Sequence, residues 1–365
     1  MLQLSVQAQQ VNMDVFKSMK ARSIGPGAMS GRITAIDAVH DDPTTMYAGS
    51  ASGGLWKSTS GGITWEPIFD NEKVHSIGAI SIYQKNPNII WVGTGEGNPR
   101  NSINIGEGIY KTIDGGKNWK RMGLEKTRNI HRIIVDPANP NTVYAGAIGN
   151  PYAEHPERGV FKTTDGGETW KFLGLEKVER IAKVVLNPKN PDIALVAGLG
   201  ALWGDSEDRG LYRTEDGGKT FTKVLYVNEK TGCSDVDIDP ENPSICYASM
   251  WEFRRKAWSF ASGGSGSGLY KSTDAGKTWT KLTKSMPEGD LGRIILTIAP
   301  SQPSTVYAMM ESTSSGLYRS DDGGANWKLV NNERKLRQRA FYYSRIVADP
   351  KDKNIVYGLN VNFYK

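Results

Sequence analysis

The octapeptide Thr163-Thr164-Asp165-Gly166-Gly167-Glu168-Thr169-Trp170 occurs six times, with small changes, in this 365-residue chain. Near-copies stand at residues 112–119, 214–221, 272–279 and 320–327, and a degenerate copy at 58–65 carries Ser60 in place of the aspartate. The starts lie 54, 51, 51, 58 and 48 residues apart. A period of about 50 marks a stack of small supersecondary units rather than one continuous core.

A second phrase precedes each copy. In the third unit it reads Asp136-Pro137-Ala138-Asn139-Pro140-Asn141-Thr142-Val143-Tyr144-Ala145-Gly146, and it returns around Pro188, Pro240, Pro300 and Pro350. Apolar, β-branched runs bounded by Pro, Asn, Asp and Gly read as short strands. For the third unit these are residues 131–135, 142–145, 159–163 and 170–173. Four antiparallel strands in a unit of this length form a propeller blade. The chain is therefore expected to be all-β, a β-propeller with six complete four-stranded blades and a partial seventh. Residues 1–15 read as a leader remnant and 16–365 as the propeller.

The seventh unit begins at Tyr342 and reaches Tyr364-Lys365, a pair that elsewhere stands immediately before the octapeptide, as in Tyr110-Lys111-Thr112. An unclosed ring exposes a strand edge. The expectation is thus a seven-bladed intact protein that continues past Lys365, with a closing strand from Phe16–Ile24 as the alternative.

In the octapeptide the aspartate can accept bonds from nearby backbone amides and the glycines allow positive φ, while the tryptophan offers a large apolar wedge. Asp114, Asp165, Asp216, Asp274 and Asp322 are accordingly expected to hold turns, and Trp119, Trp170, Trp279 and Trp327 to be largely buried. The pattern Ser/Thr-x-Asp-x-Gly-x-x-Trp/Phe resembles the Asp-box, or BNR repeat. That repeat is shared by sialidases, sortilin-type receptor domains, xyloglucanase-type glycoside hydrolases and a photosystem II assembly factor. With the Pro-rich phrase between boxes, the chain is most similar to the sortilin-like and xyloglucanase-like branch.

Composition narrows the partners. The formal charge is +6 and the basic residues are scattered, without a groove-reading motif, so no nucleic acid is expected. No apolar stretch reaches the length of a membrane span. Val6-Gln7-Ala8 looks like the small-residue end of a cleaved signal peptide, which places the protein as secreted, periplasmic or cell-surface. Cys233 and Cys246 fall out of pairing register on one hairpin and read as free thiols.

Loops between the second and third strands are long in four consecutive blades, over residues 94–108, 148–159, 199–210 and 250–268. Binding residues concentrate on loops held by a rigid scaffold. These loops carry Glu96, Arg100 and Asn104; Tyr152, Glu154, His155 and Arg158; Trp203, Asp205, Glu207 and Asp208; and Trp251, Arg254, Arg255, Trp258 and Phe260. Tyr, Trp and Arg dominate binding hot spots, so Arg100, Tyr152, Arg158, Trp203, Trp251, Arg254 and Trp258 are the candidate ligand contacts. On the same face Arg32, Arg180 and Arg293 each precede an inner strand. Arg132, Lys183, Asp235 and Arg345 share one position within it.

The xyloglucanase resemblance implies a catalytic Asp in a first-blade phrase, but the corresponding residue here is Ala51, and the enzymes' second propeller has no counterpart. The sialidase Arg-Ile-Pro phrase is interrupted at Arg22-Ser23-Ile24-Gly25-Pro26. No metal-ligand spacing or cofactor motif is present. The expected function is non-catalytic recognition of a protein or glycan on the long-loop face, without cofactor or metal. A glycoside hydrolase is the alternative, with Asp235 and Asp237 as the available inner-strand carboxylates.

Overall fold

The computed structural model describes Asn12, Asp14 and residues 32–98, 103–150, 152–153, 155, 157–339, 342 and 344–365. The closing-strand candidate Phe16–Ile24 lies outside the described residues, as does the leader remnant apart from Asn12 and Asp14.

Among the described residues seven antiparallel sheets follow one another in chain order, each built from successive strands, as the blades of a β-propeller. In blade three the strands are Ile130–Val135, Val143–Ala147, Gly159–Thr163 and Lys171–Gly174, within two residues of the sequence expectation. Blade seven has Arg345–Ala348, Val356–Leu359 and the short Phe363–Tyr364, the partial blade expected. The core lies between blades. Ile130, Ile133 and Val135 of blade three, for example, pack on Ala79 and Trp91 of blade two.

Each box folds its own turn. Thr163 Oγ1 donates to Asp165 (2.7 Å) and accepts the Gly167 amide (2.9 Å), while Asp165 accepts the Thr169 amide (3.0 Å). The same pattern recurs at Asp114, Asp216, Asp274 and Asp322. In the degenerate box Ser60 Oγ takes the Thr64 amide (2.9 Å), a neutral substitute for the carboxylate.

The residue after each box aspartate has positive φ, +76° at Gly166 and +61° even at Ala275. This conformation favours glycine, and the carbonyl that follows is bonded by the preceding blade. Tyr144 OH (3.2 Å) and Lys162 Nζ (2.9 Å) both donate to Gly217 O. Tyr247 and Lys271 do so to Gly323, and Tyr47 and Lys57 to Gly115. Lys111 reaches Gly166 and Arg213 reaches Ala275. The Lys162 ammonium also lies 4.6 Å from the Tyr144 ring centroid, a cation–π distance.

Innermost strands have one edge towards the axis, and polar side chains satisfy it. The Ile82 amide donates to Asp37 (2.8 Å), the Leu296 amide to Asp235 (3.1 Å) and the Ala348 amide to Thr297 (3.3 Å), each across a blade boundary.

Burial of the box tryptophans is only partly as expected. Trp327 is buried, whereas Trp119, Trp170 and Trp279 are half-buried. The strands they introduce, such as Lys120–Arg121, are themselves exposed. Trp119 and Trp170 still bridge blades, donating to Ile68 O (2.8 Å) and Met122 O (2.6 Å). Cys233 sits opposite Met250 and Cys246 opposite Ile238, both as buried free thiols. Burial pushes both thiols up, Cys246 to about 12, which makes them unreactive.

Lys162→Met keeps the apolar stem but deletes the inter-blade donor, and urea melts should show a loss of about 1–2 kcal/mol. Lys120→Met, which removes only the exposed pair with Glu168, should cost about 0–1 kcal/mol. Hydrogen bonds hold Asp114, Asp165, Asp216 and Asp274 well below the usual carboxylate range and Asp322 at about 2. A depressed carboxyl contributes stability above its unfolded value of about 4 that is lost as pH falls through the folded value. The Tm gap between wild type and Asp165→Asn should therefore be constant above about pH 5 and close on further acidification.

Candidate functional site

Hydrogen bonds define the two faces. Box glycines bond the turns between first and second strands, as Gly115 to Asn88 and Gly166 to Asn141. On the opposite face the long loops bond the residues that lead into inner strands, as Gly95 to Ser76, Ile148 to Asn129 and Leu199 to Arg180.

The blade-five loop is more ordered than the sequence suggested. Cys246–Lys256 runs on past the blade and pairs with Ser259–Ser262, leaving Ala257 and Trp258 as a two-residue tip. Trp258 is 83% exposed. Beside it, the blade-four loop wraps the buried Arg209, which donates to the carbonyls of Leu199 (3.0 Å), Ala201 (2.6 Å) and Gly204 (3.0 Å). Its guanidinium lies 4.5 Å from the Phe253 ring centroid. Arg254 joins hairpin and loop, donating to Trp203 O (3.1 Å) and pairing with Asp205. Trp203 and Tyr152 rings stand 6.3 Å apart, both accessible to solvent. Between loop and hairpin opens a cleft of about 440 Å³ lined by Trp203, Lys230, Glu252, Phe253, Arg254 and Lys256.

Tyr152, Trp203, Arg254 and Trp258 thus lie together on blades three to five. Arg100 and Glu154 lie outside the described residues. Two candidate ligand contacts are corrected by their surroundings. Arg158 is held by Glu176 O (2.7 Å) and Glu179 (3.6 Å). Trp251 is 1% exposed, stacks on Phe253 at 4.6 Å and donates to Ser262 Oγ. Trp251 supports the rim from beneath, and Arg158 is tied to the segment that leads into the next blade. Lys230, Glu252 and Lys256 carry no sequence signal of their own, since only the fold of the hairpin and its neighbouring loop brings them to the cleft.

At the axis, Lys183 pairs with Asp235 (2.9 Å) across a blade boundary. Asp237, two residues on, accepts the Ile238 amide (3.2 Å), and burial raises its carboxyl. The partner of the neighbouring cation is therefore Asp235 rather than Asp237. A recess beside this pair is lined by Arg132, Arg180, Arg293 and Arg345 with His131. Burial lowers all four guanidiniums, Arg180 and Arg293 to about 10, and the neighbouring arginines add to the effect at Arg132 and Arg293. Burial and then those arginines hold His131 neutral.

Ala51 is fully buried, its amide donating to Arg32 O (2.9 Å) and its carbonyl accepting Asn104 Nδ2 (3.0 Å). Arg32 in turn pairs with the buried Glu96 (3.1 Å), which also receives the Tyr342 hydroxyl. Among the described residues no three His, Cys, Asp or Glu side chains form a metal-binding group, and no helix is long and apolar enough to cross a membrane.

Comparison with known proteins agrees with this architecture. The family model described as Sortilin, neurotensin receptor 3 (Sortilin-Vps10) matches residues 107–249. The xyloglucanase Xgh74A of Acetivibrio thermocellus is 27% identical over 226 residues, covering 54% of this chain and 26% of that protein. The xyloglucanase of Hypocrea jecorina is 25% identical over 227 residues, with the same coverage. The chain therefore spans about a quarter of the length of these curated relatives. Among solved structures, the GH74 enzyme of Niastella koreensis superposes with a TM-score of 0.64 at 19% identity, over 93% of this chain and 52% of that one. YCF48 bound to D1 peptide superposes at 0.56 and 14% identity, over 92% of each. The chain is an Asp-box propeller resembling those of sortilin and the xyloglucanases, and is related to glycoside hydrolases.

Burial separates the roles of two rim tryptophans. Trp258→Ala should leave the urea midpoint unchanged. Trp251→Ala, by emptying a stacked core position, should cost about 3–5 kcal/mol.

Proposed function

We propose that this propeller is a non-catalytic module that binds a polysaccharide on its long-loop face, outside the cytoplasm. The observation that carries the reading is the cleft between Trp203 and the blade-five hairpin. The solvent-accessible Trp203 ring there adjoins Lys230, Glu252, Arg254 and Lys256 on a frame fixed by Arg209 and Arg254. Ring faces bury the apolar side of a sugar, and the adjoining polar groups bond its hydroxyls. Similarity to proteins named xyloglucanases supports a glycan over other ligands.

Three features favour binding over hydrolysis. Ala51 occupies the position where the resemblance implies an enzymatic aspartate, and a methyl group supplies neither acid nor base. Asp235 is bonded to Lys183 and the Leu296 amide, and Asp237 accepts a backbone amide beside it. Both face one channel from one strand, whereas glycoside cleavage needs carboxyl groups flanking the bond.

Affinity electrophoresis against xyloglucan and polygalacturonate should show retardation by at least one of them. Trp203→Ala, Tyr152→Ala and Trp258→Ala should each weaken that binding by about 1–3 kcal/mol where the ring is an anchor. Asp165→Asn, on the opposite face, should not. Retardation by neither polymer would defeat the reading. Release of reducing sugar, abolished by Asp237→Asn, would replace it with a hydrolase.

A further inference from the structure

We propose that the cleft between the blade-four loop and the blade-five hairpin selects a glycan that bears anionic groups. This rests on the glycan reading above and names the class of glycan. Alternate residues of a strand point the same way, and the strand Cys246–Lys256 thereby presents Glu252, Arg254 and Lys256 to the cleft. Trp203 and Lys230, which immediately precedes the inner strand Thr231–Ile238, also line it.

Two of these charges are already committed within the protein. Arg254 pairs with Asp205 and donates to Trp203 O (3.1 Å). Glu252 lies against the glycine-rich loop that follows the hairpin, accepting the Gly266 amide (2.9 Å). Its carboxyl carbon would stand 2.4 Å from a Cβ added at Gly264. Lys230 and Lys256, by contrast, are exposed, and among the described residues neither ammonium has an ion pair or a hydrogen bond. Lys256 lies 6.0 Å from the Trp258 ring centroid, so a cation stands beside an exposed aromatic face.

The pattern of donors selects the ligand. An ammonium donates hydrogen bonds and accepts none, so the two uncommitted cations call for groups that accept. A sugar hydroxyl can do so, but a carboxylate or sulfate oxygen does so with charge, and charge-assisted bonds are the stronger. The cleft volume of about 440 Å³ lies within the roughly 300–1,000 Å³ of small-ligand pockets. Sugar rings therefore fit against the Trp203 face with their anionic groups towards the lysines. A uronic acid and a sulfated sugar share this chemistry.

The test is calorimetric titration of the full chain with trigalacturonate and with the same trisaccharide after carboxyl reduction. Sulfated and unsulfated dextran oligosaccharides form a parallel pair. At least one acidic sugar should bind about tenfold more tightly than its neutral counterpart, and added salt should erode the preference. Lys230→Met and Lys256→Met should each lower the preference about two- to fivefold, and the double variant should bring it close to one. Neither exposed side chain supports the fold, so the urea midpoint of both variants should stay in place. Lys328→Met, on the exposed outer strand of blade six, removes the same charge elsewhere and should leave the preference intact.

A preference for trigalacturonate supports the site with a carboxylate as its anion, and a preference for the sulfated dextran supports it with a sulfate. Equal affinity for acidic and neutral sugars would overturn the anion selection and leave the glycan reading standing. An equal loss of preference in Lys328→Met would also overturn it, by assigning the effect to net charge. Binding of none of these sugars, with no retardation by xyloglucan or polygalacturonate, would overturn both readings.

Discussion

The carbonyl after each box aspartate is the joint on which this ring depends. Positive φ at Gly115, Gly217 and Gly323 accompanies bonds from a tyrosine hydroxyl and a lysine ammonium of the preceding blade. A single carbonyl accepting two donors, one of them charged, is a strong and directional link. The box carboxylate is not itself the link. It holds the turn so that the carbonyl is presented, and for that task Ser60 serves in blade one. This explains why a motif so often repeated can lose its charged residue once.

The axis poses a complementary problem. Inner strands leave amides unpaired on one edge, and buried amides need acceptors. Asp37, Asp235 and Thr297 provide them from the neighbouring blade. Acidic side chains in the channel are thereby accounted for by folding. The arginines beside them reach carbonyls, as Arg132 does to Ala182 and Arg180 to Gly97, and the Asp235 carboxylate favours the charged form of Arg132, Arg293 and Arg345.

The repeat is broken most in blades four and five. Blades four and five replace short connections with a loop wound round Arg209 and a hairpin that carries Trp258 beyond the body of the blade. Arg254 fastens one insertion to the other. The resulting cleft is a property of two adjacent blades, supported by a buried Trp251–Phe253 stack, rather than of any one repeat.

The repeat spacing and the strand-turn phrases by themselves determined the blade count, the strand limits of blade three and the turn role of Asp114, Asp165, Asp216, Asp274 and Asp322. Those features depend on hydrogen bonds between residues a few positions apart, which sequence displays directly. The equivalence of Arg132, Lys183, Asp235 and Arg345 was legible too, because each blade repeats the same register. Tertiary structure alone decided that Trp251 lies beneath the rim, that residues 253–262 form a hairpin, and that His131 joins four arginines at the axis. Around His131, the arginines at 180, 293 and 345 stand tens to hundreds of residues away. They meet only because blades close round a common axis, a constraint that local spacing does not carry.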